Sequence, residues 1–182
     1  MNEQELIKLL REKNEPAFKW LVDTYHQRVY NTVLSLVQNV SEAEDVAQEV
    51  FIKIFESIIS FRGEAKLSTW IYRISVHKAL DKIKRTKTKK RFALFVPWTQ
   101  SEPEEPFYHP GLMLDKKEKG AVLFQAIRQL PDNQQIAFTL IKVQGMNYEE
   151  VSRIMKISVK AIESLLSRAK INLQKTLEKT ER

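Results

Sequence analysis

Residues 41–91 read SEAEDVAQEVFIKIFESIISFRGEAKLSTWIYRISVHKALDKIKRTKTKKR, with apolar residues recurring at helical spacing on both sides of the Phe61–Leu67 turn. Ala43, Val46, Ala47, Val50, Phe51, Ile54 and Ile58 form one apolar arc. Tyr72, Val76, Ala79, Leu80 and Ile83 form a second. Ser41-Glu42-Ala43-Glu44 has the form of a capping box and predicts a helix start at Ser41. The next helix is predicted from about Ser68 to Lys87. No stretch alternates as a half-buried strand would, and the chain has only 4 glycines, so the fold class is all-α.

Charge reverses within this stretch. Ser41–Ser60 carries Glu42, Glu44, Asp45, Glu49 and Glu56 against the single base Lys53. Phe61–Arg91 carries eleven bases against Glu64 and Asp81. Segregation of this kind predicts two partners of opposite charge, one of them a polyanion. Opposite the first apolar arc lie Asp45, Gln48, Glu49, Ile52 and Glu56. An isoleucine in an acidic stripe marks a protein partner, although a solvated acidic face with one stray aliphatic gives the same pattern. On the second helix Trp70, Arg73, His77, Asp81 and Lys84 share a side. A tryptophan bordered by Lys66, Arg73 and Lys84 can stack on an unpaired base while the cations hold the backbone. The alternative is a core tryptophan among solvating lysines; the run Lys82, Lys84, Arg85, Lys87, Lys89, Lys90 and Arg91 favours phosphate contact.

Working outward, Asn14 is a candidate cap for a helix from about Glu15 towards Gln38, with Pro16 in its first turn. Phe18, Leu21, Val22, Tyr25, Val29 and Val33 give its apolar stripe. From Phe92 to about Leu114 the chain holds Pro97, Pro103, Pro106 and Pro110 with Glu102, Glu104 and Glu105, and reads as a linker. Phe92, Phe95, Val96 and Trp98 could dock within it. Helices resume near Asp115, and Pro131 opens another. The organisation is therefore two small helical domains, an N-terminal bundle over 1–91 and a helical domain over 118–182, joined by a flexible linker at 92–117.

Composition bounds the rest. A chain of 182 residues with 43% hydrophobic content can build two packed cores. Cysteine is absent, which excludes disulfides and thiolate chemistry and fits a reducing compartment. Met1–Arg11 mixes acids and bases, and no run reaches the roughly 18 apolar residues a membrane span needs. The chain reads as cytoplasmic, without membrane insertion. His26, His77 and His109 stand in separate segments with no metal-ligand spacing, and neither a glycine-rich phosphate loop nor a GxSxG is present. No cofactor, metal or catalytic residue is expected.

Asn147–Met155 and Val159–Lys175 read as two helices around the junction Lys156-Ile157-Ser158, the pattern of a helix-turn-helix. Ile162, Leu165, Leu166, Ala169 and Leu173 fall on one face of the second helix. Lys160, Glu163, Ser164, Ser167 and Ile171 lie opposite, flanked by Arg168 and Lys170. Such a helix can enter a major groove while its apolar face packs on the preceding helices. An ordinary amphipathic surface helix would show the same pattern.

AEDVAQEVFIKIF, FRGEAKLSTWIYRISVHKALDKIKR and LPDNQQIAFTLIKVQGMNYEEVSRIMKISVKAIESLLSRAK, in that order, resemble an extracytoplasmic-function (ECF, group IV) sigma factor of the bacterial sigma-70 family. The resemblance covers roughly residues 15–90 and 118–178. It implies two helical domains that hold core RNA polymerase and a promoter, in a factor that is monomeric when free and has no catalysis of its own. Asp45, Gln48, Glu49, Ile52 and Glu56 would grip the β′ coiled coil, with the β flap as a further polymerase contact. Arg62, Lys66, Ser68, Thr69, Trp70, Arg73, His77, Lys84 and Arg85 would recognise and open the −10 element. Lys160, Glu163, Ser164, Ser167, Arg168 and Lys170 would read the −35 element. An anti-sigma partner is implied, and one that holds the factor near the inner membrane would fit. Ser152, Ala161 and Glu163 depart from the family's usual alanine, threonine and base. A linker of about 25 residues spans at most roughly 80–90 Å, against roughly 70 Å between DNA elements about 20 base pairs apart. A stand-alone homodimeric helix-turn-helix regulator is the alternative. It explains the C-terminal third but leaves the acidic stripe and the Trp70 region without a role.

Overall fold

The first three helices each start on an asparagine. In the computed structural model, which describes residues 2–93 and 117–180, these are α1 (Glu3–Arg11), α2 (Glu15–Val37) and α3 (Val40–Ser57). Asn2, Asn14 and Asn39 accept from the backbone N–H of Glu5, Ala17 and Glu42 at 2.8, 3.0 and 2.9 Å. Each bond satisfies one N–H that the helix leaves without an internal partner. This corrects two expectations. α1 was not foreseen, and α3 begins at Asn39, not Ser41. Asn39 is extended (φ −148°, ψ 126°), the cap geometry, whereas Ser41 already lies in the first helical turn.

A short 3₁₀ turn, Ile58–Ser60, buries Ile58 and leads to α4 (Leu67–Ala93). α1 pins the turn between them. Arg11 donates to the Phe61 carbonyl at 2.5 Å, and Glu3 accepts from the Leu67 backbone N–H at 3.2 Å. α4 continues past Lys87, so Phe92 is helical and does not begin a linker. Phe95, Val96 and Trp98 lie outside the described residues.

The second domain comprises α5 (Lys117–Arg128), α6 (Asp132–Phe138), a π-helical segment (Thr139–Val143), α7 (Tyr148–Met155) and α8 (Val159–Thr180). α7 opens on the full capping box, Asn147 with Glu150. α6 follows Pro131, whose missing N–H costs nothing at a helix start. Phe124, Ala126, Ile127, Leu130, Ala169 and Leu173 form a small core joining α5 to α8.

The larger core does not stop at the domain boundary. Leu34, Leu36, Val46, Val50, Ile54 and Ile71 belong to the same buried cluster as Ile136, Leu140, Ile141, Val151, Ile154 and Ile162. Burying one such side chain contributes about 1.5–3 kcal/mol, so the shared cluster helps to hold the two domains together. The cap assignment is testable: Asn39→Ala should cost about 1 kcal/mol in urea unfolding and Ser41→Ala close to nothing.

Candidate functional site

The acidic and basic helices face each other. Lys78 on α4 bonds Glu49 on α3 at 3.0 Å, and Lys82 reaches Glu42 at 3.4 Å. Thr86 donates to the same Glu42 carboxylate at 3.5 Å. Part of the charge reversal is therefore satisfied inside the bundle. Partly exposed pairs of this kind contribute roughly 0.2–1 kcal/mol each and fix the register of the two helices.

Asp45, Gln48, Ile52 and Glu56 lie exposed along the outer side of α3; Glu49 is also exposed but turns to Lys78 of α4. Lys53 sits 3.9 Å from Glu56 within that row. Ile52 is 58% exposed, and the row continues through Phe55 (41%) and Ile59 (63%). Those two aromatic and aliphatic positions were missed from sequence, although the spacing i, i+3, i+7 from Ile52 was there to read. Phe18 packs edge-on to Phe55 at 4.7 Å, and the Lys13 ammonium lies 4.8 Å from the same ring.

The α4 set divides. Arg62, Lys66, His77, Lys84 and Arg85 are exposed, and Arg62 pairs loosely with Glu64 at 3.9 Å. Ser68 is half-buried and Thr69 is buried in the first turn of α4. Trp70 is half-buried with its ring 5.1 Å from that of Phe61, so it is part core and part surface. Arg73 donates through Nε and Nη2 to the Arg153 carbonyl, at 3.1 and 2.5 Å. Trp70, Arg73, His77 and Asp81 line one wall of an interdomain cleft of about 550 Å³; Asn133, Ile136 and Ile154 line the other. Nearby, burial raises the Tyr25 and Tyr72 phenols above their ordinary range, Glu3 adding to the effect at Tyr25 and Arg28 opposing it at Tyr72. Both are neutral phenols at physiological pH.

On α8, Lys160, Glu163, Ser167, Arg168 and Lys170 are exposed and Ser164 is half-buried. Ile162, Leu166, Ala169 and Leu173 point inward. Ser158 caps the helix by accepting from the Ala161 N–H at 3.2 Å. The turn before it is built from Lys156 in the left-handed region (φ 56°) and from Ser152, whose hydroxyl donates to the Ile157 carbonyl at 2.5 Å. Ser152, one of the departures from the usual pattern, thus ties the turn together. Tyr148–Met155, turn and Val159–Thr180 form a helix-turn-helix whose second helix presents its polar face to solvent.

A family model for Sigma-70 region 2 matches residues 21–89, and a model for Sigma-70 region 4 matches residues 121–173. The chain belongs to the sigma-70 family, in its ECF group. Within this sigma-family chain, region 2 spans α2 to α4 and region 4 spans α5 to most of α8. The chain is 28% identical to the RNA polymerase sigma-H factor of Pseudomonas aeruginosa, over 97% of this chain and 94% of that one. It is 29% identical to the ECF sigma factor SigW of Bacillus subtilis, over 94% of each. It is also 29% identical to the ECF sigma-E factor of Escherichia coli, over 93% and 91%. Among solved structures, its fold matches CnrH in complex with the cytosolic domain of CnrY, with TM-score 0.67, 19% identity and 97% of each chain covered. It also matches the sigma factor RpoE in complex with the anti-sigma factor NepR from Bartonella quintana, with TM-score 0.65, 23% identity, and 88% and 96% covered. The turn assignment predicts that Ser152→Ala lowers stability by about 0.5–1.5 kcal/mol in chemical denaturation, with the helix content of the native state unchanged.

Proposed function

We propose that this chain is a dissociable ECF sigma factor that binds core RNA polymerase and directs promoter-specific initiation. The observation that carries the reading is the presence of regions 2 and 4 in order along one chain, each with an exposed polar face of the matching sign. The outer row of α3, Asp45, Gln48, Glu49, Ile52 and Glu56, grips the β′ coiled coil; Phe55 and Ile59 extend it. The open apolar groove between Leu123, Phe138, Leu173 and Leu177, about 480 Å³, is the surface assigned to the β flap. α4 and the turn before it, from Arg62 to Arg85, capture the −10 strand. Unstacking a base step costs a few kcal/mol, offset by stacking on Trp70 and by phosphate contacts. α8, through Lys160, Glu163, Ser164, Ser167, Arg168 and Lys170, reads the −35 duplex. The chain supplies binding energy and the polymerase the chemistry. That partner puts its work in the cytoplasm.

An anti-sigma partner is part of the proposal, because one structural neighbour, RpoE, is held in complex with an anti-sigma factor. A stand-alone homodimer is not favoured, since it leaves the α3 row idle. In vitro transcription with core polymerase on genomic fragments tests the whole reading. Discrete transcripts that require this chain support it, and none above core polymerase alone would reject it. For the polymerase face, Asp45→Arg combined with Ile52→Arg should abolish co-purification with core polymerase without lowering the melting temperature. This pair spares Glu49, whose bridge to Lys78 belongs to the fold. Retained co-purification would remove α3 as the contact.

A further inference from the structure

α1 lies outside the stretch matched by the region 2 model, which begins at residue 21. Its two terminal residues nevertheless hold the two ends of the turn 61–67. Arg11, the last residue of the helix, donates to the Phe61 carbonyl at 2.5 Å. Glu3, the first, accepts from the Leu67 backbone N–H at 3.2 Å. At roughly 1.5 Å per residue, the 9 residues of α1 make an arm about 13 Å long that runs beside the turn from end to end.

The turn has little else to fix its shape. Among the described residues, no backbone hydrogen bond joins one member of 61–67 to another. Phe61 and Leu67 are buried, whereas Arg62, Gly63, Glu64 and Lys66 between them are exposed. Gly63 adopts φ 75°, a conformation that glycine enters freely. Nor can Lys66, just before α4, cap that helix, because an ammonium has no acceptor. Glu3 does so from another helix, and its carboxylate meets the positive end of the α4 dipole.

α1 is itself firmly seated. Leu6 and Leu10 anchor it in the large core. At its C-terminus Lys13 turns left-handed (φ 56°), and the N–H groups of Lys13 and Asn14 bond the Leu10 and Leu9 carbonyls at 3.1 and 3.0 Å. These two bonds are those of a Schellman motif. Asn14 also caps α2, so the two helices share one fixed corner.

We propose that Arg11 and Glu3 are positioning residues for promoter opening: from α1 they hold the turn in the shape that receives the −10 strand, without contacting DNA themselves. This rests on the sigma reading given above, in which Arg62, Lys66 and Trp70 belong to the −10 face. The Arg11 contact fixes the Phe61 backbone, and the Phe61 ring packs 5.1 Å from that of Trp70. A cleft of about 290 Å³, lined in part by Phe61, Arg62, Ala65 and Trp70, is the space so shaped. Holding the turn in place beforehand removes the entropy cost of ordering it when the strand binds.

Combining Arg11→Met with Glu3→Ala removes both contacts and leaves α1 seated, since Leu6 and Leu10 remain. In the free full-length chain, hydrogen exchange across 61–67 and trypsin cleavage after Arg62 and Lys66 should both speed up, with cooperative thermal unfolding retained. With core polymerase, transcription from a duplex promoter should fall about tenfold. On the same fragment with its −10 element mismatched, and so already open, the loss should be less than about twofold, because no unstacking is then required. Co-purification with core polymerase should be unchanged. Arg11→Lys and Glu3→Gln keep a donor and an acceptor, and should retain most of the duplex activity. Unchanged exchange over 61–67 would overturn the tether. Equal losses on the two templates, or loss of polymerase binding, would overturn the positioning role in favour of general support of the fold. If the unsubstituted chain yields no transcript, the sigma reading fails and takes the promoter half with it, while exchange in the free chain still decides the tether.

Discussion

The end of α2 is the constraint on which the rest depends. Residues 32–38 are all buried, although a helix packed on one side alone would leave some of them in water. α3 and α4 cover one side, and α6 with the π-helical segment covers another. Burial on every side forces each polar atom there to find a partner. Thr32 and Ser35 bond back to the Arg28 and Asn31 carbonyls at 2.8 and 2.7 Å. Gln38 ends the helix in the left-handed region and turns its carboxamide to region 4. Leu36 is left needing a donor, which only Gln135 supplies among the described residues. Packing and polar satisfaction therefore select the same domain arrangement.

The charges of region 2 fall into two sets, and distance separates them. Glu42 and Glu49 reach Lys82 and Lys78, and so help to set how α3 lies on α4. Asp45, Gln48, Ile52 and Glu56 point away from that contact and remain on the surface. A raw count of acids against bases could not make this distinction. It required knowing which turn of α3 faces which turn of α4. The acidic stripe assigned to polymerase is thus narrower than the acidity of the helix implies, and more apolar, through Ile52, Phe55 and Ile59.

The all-α class, the two-domain order and the faces of α3 and α8 were legible because helical periodicity is a local signal. The start of α3 was misread because Asn39 and Ser41 both precede the apolar arc, and both residue types cap well. Only backbone geometry shows which of them is extended. α1 had its own signals, Asn2 with Glu5 at the start and Arg11 at the end, but it is short and its apolar residues are few. The glutamine contacts were not legible at all. Their partners lie 86 to 113 residues away in sequence, and an amide pattern carries no indication of which distant acceptor it meets.

The two candidate DNA faces are not equally available in this arrangement. Lys160, Glu163, Ser167 and Arg168 on α8 look outward, whereas on α4 Arg73 bonds region 4 and Trp70 packs on Phe61 beside the interdomain cleft. If α4 captures unpaired bases and α8 reads duplex, the face partly engaged by region 4 is the one that would meet exposed single strands. A free chain with that face open would bind any such strand through stacking and phosphate contacts, since both are tolerant of sequence. The helix-end contacts between the domains add alignment to the apolar packing, since each has a water partner to fall back on wherever it is exposed.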